Sequence, residues 1–304
     1  MEKFEITILG CGCAVPTALH NPASQIVNIR EKLAMIDCGE GTQMQMRLNK
    51  VGFQKLRNIF ISHLHGDHCF GLIGIISSMG LLGRVTPLHI YGPQNLGELL
   101  KMQLRLFCEG MEYAVEFHPV PTTEYQLIYE DRSMEVYTLP LKHRIPCCGY
   151  LFKEKPTLPH IRREMIDFYN IPNVYINNIK NGADWVMDDG TVISNDRLTT
   201  PPSPTRSYAY CSDTAFKPDL QQYLDGVDLL YHEATFGKER EERAKITYHS
   251  TAEQAAIMAQ SCHAKQLLIG HYSAHYTDVT PLLEEAKAIF PNTIAAHEGM
   301  KIKL

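Results

Sequence analysis

The stretch FISHLHGDHCFG, residues 60–71, places His63, His65, Asp67 and His68 within six positions. They follow directly on the apolar run LRNIFIS at 56–62, which reads as a strand. Burying that many polar groups without a bound partner would be costly, so the pattern points to a metal. Zinc takes imidazole nitrogen and carboxylate oxygen at about 2.0–2.2 Å, roughly three or four of them per site. His63 and His65 lie two apart past a strand and can point to one side, while Gly66 allows a reversal that carries Asp67 and His68 towards a second point. Four ligands this close exceed the need of one metal with an open position. The cluster therefore predicts two metals, His63 and His65 on one, Asp67 and His68 on the other.

Outward from this cluster, three more strands run into possible ligands. MEVYTLPLKH (134–143) ends at His143, RSYAYCSDT (206–214) reaches Asp213, and KQLLIGHYS (265–273) reaches His271. In α/β proteins sites gather where strands end, because the sheet fixes the starting points of the loops. His143 then completes the first metal, His271 the second, and Asp213 bridges them with its two oxygens. Two metals about 3.5–4 Å apart clamp the attacking and leaving oxygens of an in-line phosphoryl displacement. Zinc is the default for such ligands, with manganese or iron as alternatives. Histidines without such context, His89, His118 and His263, read as structural or surface residues.

A second pairing lies in YHEATF (231–236) and YHSTAEQAA (248–256). Ser250-Thr251-Ala252-Glu253 reads as a capping box opening a helix, with His249 held just before it. An imidazole fixed there and paired with Glu233 could protonate a leaving oxygen. The same spacing serves equally a pair that only hydrogen-bonds within the fold.

The 304 residues, 44% hydrophobic and 21% charged, describe a globular chain with a substantial core. FEITILG, SQIVNI and KLAMIDCGEGTQ read as early strands, GLIGIISSMGLL as an apolar helix and PLHIYGP as a further strand. No apolar run has the length of a membrane span, and MEKFEITILGCG lacks the apolar core of a secretory signal, so a cytoplasmic location is expected. The nine cysteines are odd in number and irregularly spaced, which argues against a disulfide framework and against a paired-CxxC zinc site. Most are expected to be buried thiols. A net charge of −5 gives no general reason to bind nucleic acid, and no DNA partner is expected. From about 153 to 204 the chain turns polar and rich in Pro and Asn-Gly breaks, with a short amphipathic helix around 159–169. It reads as an insertion standing off the body rather than a second folded domain.

SHLHGDH resembles the HxHxDH signature of the metallo-β-lactamase superfamily. DCGEGTQMQ (37–45), YGP (91–93), SDT (212–214), HEATF (232–236), HSTAEQAA (249–256) and GHYSAHY (270–276) narrow the resemblance to the ribonuclease Z family, in family order over nearly the whole chain. The resemblance implies a single αββα four-layer sandwich over 1–304, two Zn²⁺ ions between the sheets, and a homodimer. It implies cleavage of precursor tRNA after the discriminator base, leaving a 3′-hydroxyl on the tRNA and a 5′-phosphate on the trailer. Carried over by position, His63, His65 and His143 hold one zinc, Asp67, His68 and His271 the other, and Asp213 bridges. Asp67 would also accept the proton, and His249 with Glu233 is similar to the family's proton donor. The 153–204 insertion corresponds to a protruding arm that grips the tRNA elbow.

Three positions depart from the family pattern. His20 precedes Asn21 where arginine is usual, His275 replaces the arginine of HxSxRY, and IPNVY stands where a Gly-Pro pair is common. Histidine is mostly neutral at pH 7, so the first two changes bear on the grip on phosphate or on a 3′-terminal CCA, not on the metal site. The alternatives are a phosphodiesterase for small diesters on the same scaffold, and a non-catalytic RNA-binding protein. The arm, HEATF and HSTAEQAA argue against the former, the seven intact ligand positions against the latter.

Overall fold

The computed structural model describes residues 2–304, which group into two compact units: Glu2–Lys153 with Arg206–Leu304, and Glu154–Thr205. The larger unit is built on two seven-stranded sheets. The first sheet contains β1 (Phe4–Gly10), β2 (Ser24–Ile29), β3 (Lys32–Cys38), β4 (Leu56–Phe60), β5 (Leu88–Gly92) and β6 (Val115–Pro119). The second contains β7 (Leu127–Glu130), β8 (Met134–Pro140), β9 (Cys148–Glu154), β10 (Ser207–Cys211), β11 (Leu229–Glu233), β12 (Gln266–Gly270) and β13 (Thr293–Ala295). The last strand, β14 (Lys301–Lys303), returns to the first sheet beside β1.

Each sheet joins an antiparallel part to a parallel part. β1, β2 and β3 pair antiparallel, and β3 through β6 run parallel. In the second sheet β9 meets β10 antiparallel, and β10 through β13 run parallel. The parallel strands read as continuous buried runs, such as LLYHE and QLLIG, because both faces are covered.

Alternation along the strands divides the core. Phe4, Ile6, Ile8, Ala34, Ile36 and Phe60 join Val136, Tyr150, Phe152 and Tyr208 of the second sheet in one cluster. Their neighbours Leu9, Met35, Ile59 and Ile61 turn the other way. There they pack with α1 (Thr42–Leu48), α3 (Leu72–Leu81) and α4 (Leu96–Phe107); the single turn between β4 and α3 is α2 (Gly66–Cys69). The second sheet is covered by α5 (Ala252–Ser261) and α6 (Thr280–Lys287) through Ala255, Ala256, Met258 and Leu282. This is the αββα sandwich expected from the sequence.

The Glu154–Thr205 unit has its own small core of Ile171, Ile179, Ile193 and Leu198, with Met165, Tyr169 and Trp185 packed on it. Two short ribbons, His160–Ile161 with Thr199–Thr200 and Trp185–Val186 with Val192–Ile193, close it. Asn195 fastens the turn by donating from Nδ2 to the carbonyls of Ile179 (2.6 Å) and Ala183 (2.8 Å). The amphipathic helix read around 159–169 spans Arg163–Phe168.

The capping box differs by one residue from the sequence reading. Thr251, not Ser250, caps α5, accepting from Gln254 N–H, while Gln254 accepts in return from Thr251 N–H. Ser250 is wholly buried and donates instead to the carbonyl of Thr214 (2.7 Å), tying the helix start to the loop after β10. Among the described residues no helix is long and apolar enough to cross a membrane.

Candidate metal centre and active site

Four strand ends converge on one place. Past β4 the chain stays extended, so His63 and His65 present ring nitrogens 3.0 Å apart. The turn α2 then carries Asp67 and His68 round. The φ of Gly66 is not positive, and a Cβ there would meet the exposed Phe70 ring at 2.3 Å, so a larger residue would have to displace that ring. His143 arrives from β8 with Nε2 3.2 Å from His65 Nδ1. His271 follows β12 with Nε2 3.3 Å from His68 Nε2.

Asp213, 2% exposed past β10, lies between these two sets. Its Oδ2 is 3.5 Å from His63 Nε2 and 3.8 Å from His143 Nε2. Its Oδ1 is 3.3 Å from His68 Nε2 and 3.1 Å from His271 Nε2. Asp67 Oδ2 stands 3.5 Å and 3.6 Å from the same two nitrogens. Ligands on one tetrahedral metal with bonds of about 2.0–2.1 Å lie about 3.3 Å apart. Each set of donor atoms therefore has the separations that one small cation requires, and all seven residues named from the sequence are brought together.

Electrostatics and hydrogen bonding agree with that fit. Asp213 Oδ1 is buried and accepts no hydrogen bond. Burial lowers the pKa of His63, and brings His65 and His143 down to about 4, keeping these rings in the neutral form that offers a lone pair. Burial also opposes charge on His68 and His271, yet Asp213 with its neighbouring acceptors raises both well above the ordinary value. The carboxylates thus call for positive charge at this spot.

The far side of each ring is held. His68 Nδ1 is 2.7 Å from Asp37 Oδ2, His63 Nδ1 2.9 Å from Ser62 Oγ, His143 Nδ1 3.0 Å from the Tyr248 carbonyl, and His271 Nδ1 3.0 Å from Thr235 Oγ1. Such partners fix ring orientation and tautomer at metal sites. Asp37 is itself fixed by Ser62 N–H (2.7 Å), Ser62 Oγ (2.9 Å) and the Tyr210 hydroxyl (2.8 Å). The sequence reading missed Asp37, Ser62, Tyr210 and Thr235. Asp37 alone left a signal, an acid closing the apolar run KLAMID.

Glu233 and His249, whose pairing the sequence left open, are in contact, with Glu233 Oε1 2.9 Å from His249 Nδ1. The carboxylate also accepts from Thr214 N–H (3.0 Å) and from Thr235 N–H and Oγ1 (3.1 and 2.7 Å). His249 Nε2 points the other way, 4.0 Å from Asp213 Oδ2. Burial works against charge on this ring, but Glu233, aided by Asp213, raises its pKa above the usual value. A cavity of about 320 Å³ opens over the cluster, lined among others by Asp67, Phe70, Arg144 and His249.

The remaining histidines have other surroundings. His20 lies 3.1 Å from Glu298 Oε2, and His275 touches the Arg240 guanidinium, so a fixed cation stands beside the position where the sequence lacks one. His89 and His118, taken singly in the sequence, meet across β5 and β6 with Nδ1 and Nε2 3.1 Å apart and Glu116 Oε2 3.3 Å from His89. His263 faces Asp225 at the exposed surface.

Residues 4–156 match the family described as Anti-Pycsar protein Apyc1. Over all 304 residues, and the whole of both chains, the sequence is 57% identical to Ribonuclease Z of Bacteroides fragilis and 53% identical to that of Porphyromonas gingivalis. The fold resembles the short form of human tRNase Z (TM-score 0.71, 23% identity, 98% of each chain) and the metallo-β-lactamase fold protein YhfI of Bacillus subtilis (TM-score 0.70, 18% identity, all of both chains). With more than half of its residues shared from end to end with such relatives, the chain belongs to the ribonuclease Z family.

Proposed function

We propose that this protein is a metal-dependent endoribonuclease that removes the 3′ trailer from precursor tRNA after the discriminator base, leaving a 3′-hydroxyl on the tRNA and a 5′-phosphate on the trailer. One observation carries the reading: two sets of imidazole and carboxylate donors share the two oxygens of Asp213, with a charged His249–Glu233 pair at their rim. The donor set suits two Zn²⁺ per chain, one on His63, His65 and His143, the other on Asp67, His68 and His271, with Asp213 common to both. When bound, such ions supply an activated water and neutralise charge on the phosphoryl group.

The chain's own groups do the rest. Asp67 lies on the cavity wall with Oδ2 accepting from Ala14 N–H (2.7 Å), a fixed carboxylate placed to take the proton of the attacking water. Burial opposes its ionisation, but His68 and His271 hold its pKa well below the usual carboxylate range, so it is ionised at neutral pH. His249 carries the proton for the leaving oxygen, and Glu233 keeps that ring charged and aimed. Arg144 adds a guanidinium to the cavity wall, suited to a phosphate.

The 154–205 unit is the candidate arm for the tRNA elbow, and a homodimer in the cytoplasm is the expected assembly. A phosphodiesterase for small diesters on the same scaffold is the second reading, because it would use the same ligand set. Cleavage of a precursor tRNA with a short trailer separates the two. A single cut after the discriminator, lost in Asp67→Ala, supports the endoribonuclease. Turnover of a generic phosphodiester with no cut in the tRNA overturns it. A CCA-ending substrate in the same assay reports whether His20 and His275 relax discrimination.

A further inference from the structure

Cys13 is not one more thiol in the core. It sits in the loop after β1, on the wall of the cavity over the metal-ligand cluster. That loop is fixed on both sides of the residue. Cys13 N–H donates to the Tyr272 carbonyl (2.9 Å), next to His271, and Ala14 N–H donates to Asp67 Oδ2 (2.7 Å). Ala14 holds a φ of 60°, a conformation that costs a non-glycine residue free energy and that these contacts maintain. The thiol sulfur, Asp67 and His271 thereby present ligand atoms all within 4.8 Å of one another. Cys11, two residues back, faces elsewhere, with its sulfur 3.4 Å from His20 Nδ1 and 3.5 Å from the Ala296 carbonyl.

A second observation points to a ligand at the same spot. Asp213, 2% exposed, has its Oδ1 without a hydrogen bond, 3.1 Å from the His271 ring that Cys13 adjoins. His271 is thus shared between the group of Cys13 and Asp67 and the group of His68 and Asp213. We propose that Cys13 is a further ligand of the metal assigned to Asp67, His68 and His271, its thiol releasing a proton to solvent as the sulfur binds. The proposal rests on the metal-centre reading above. Its chemical consequence is selectivity. Thiolate is a soft ligand, so this position favours zinc over manganese more than nitrogen and oxygen donors alone would.

The test uses the full chain, stripped with a chelator and reloaded with Co²⁺. Weak visible bands report cobalt on the histidine and carboxylate ligands, and a strong near-ultraviolet band reports sulfur-to-cobalt charge transfer. The expected result is both signals in the wild type and in Cys108→Ser, with only the near-ultraviolet band lost in Cys13→Ser. Retained visible bands in that variant also show that its centre is folded. By competition, Cys13→Ser is expected to hold its second Zn²⁺ at least about tenfold more weakly. Visible bands without the sulfur band in the wild type, or a sulfur band that survives Cys13→Ser, overturn the ligand role and leave the metal centre standing. Absence of both bands in the wild type overturns the metal-centre reading itself.

Discussion

Around Asp213, four of the five imidazoles have one ring nitrogen engaged by a hydroxyl, a carboxylate or a carbonyl, and the other aimed at a shared gap. At the edge of the first sheet, His89 and His118 also come within 3.1 Å, with Glu116 nearby. There the rings are half-buried, Glu116 is exposed, and neither ring has its other nitrogen held by a partner among the described residues. His63 and His68, by contrast, are wholly buried. Proximity of histidines is therefore a weak indicator of a metal centre. Anchoring is a stronger one, because it costs side-chain freedom during folding rather than during metal binding.

Asp67→Ala tests the anchored set most severely. It removes a donor and the proposed proton acceptor together, and precursor-tRNA cleavage is expected to fall by about 10⁴-fold, the upper end for acid–base groups. Intact cleavage in that variant would erase the contrast between the two sets. Glu233→Gln keeps the size of the side chain and removes its charge. A fall in kcat of about 10²–10³-fold is expected. Glu233 raises the pKa of His249 against the opposing effect of burial, and a proton donor works only while protonated. Activity is lost as pH rises through that pKa, so the alkaline limb of the rate profile should move to lower pH in the variant.

Asp37→Asn probes the anchor without touching the gap. Zinc affinity should drop by about 10–100-fold in chelator competition, the usual range for a partner behind a metal ligand. An unchanged affinity would mean that the buried network around Asp37 serves the core alone. The smallest effect belongs to the sheet edge. His89→Ala with His118→Ala should leave cleavage within about twofold and the zinc content unchanged, as for surface changes of about 0.5 kcal/mol. A lost equivalent of zinc would show that the exposed pair holds metal without anchoring.

Legibility in the sequence followed distance along the chain. The strands FEITILG, SQIVNI and QLLIG match the observed elements because alternation and apolar runs are local signals. HxHxDH was readable because its atoms meet through two-residue spacing and one turn of helix. The reading was coarser where two local solutions competed. Ser250 and Thr251 can both cap a helix, and the buried hydrogen bond from Ser250 to Thr214, 36 residues away, decided for Thr251.

The sequence by itself determined the kinds of donor, their placement at strand ends and their division into two sets around Asp213. Each of these follows from residue type and local geometry. The tertiary structure alone decided which groups stand behind them. Tyr210 reaches Asp37 across 173 residues, His89 meets His118 through the register of two parallel strands, Arg240 lies against His275, and Cys13 comes to the cavity wall. The physical reason is that such contacts depend on sheet pairing and loop closure. Those are set by the burial of the whole core and leave no periodic trace in the segments they join.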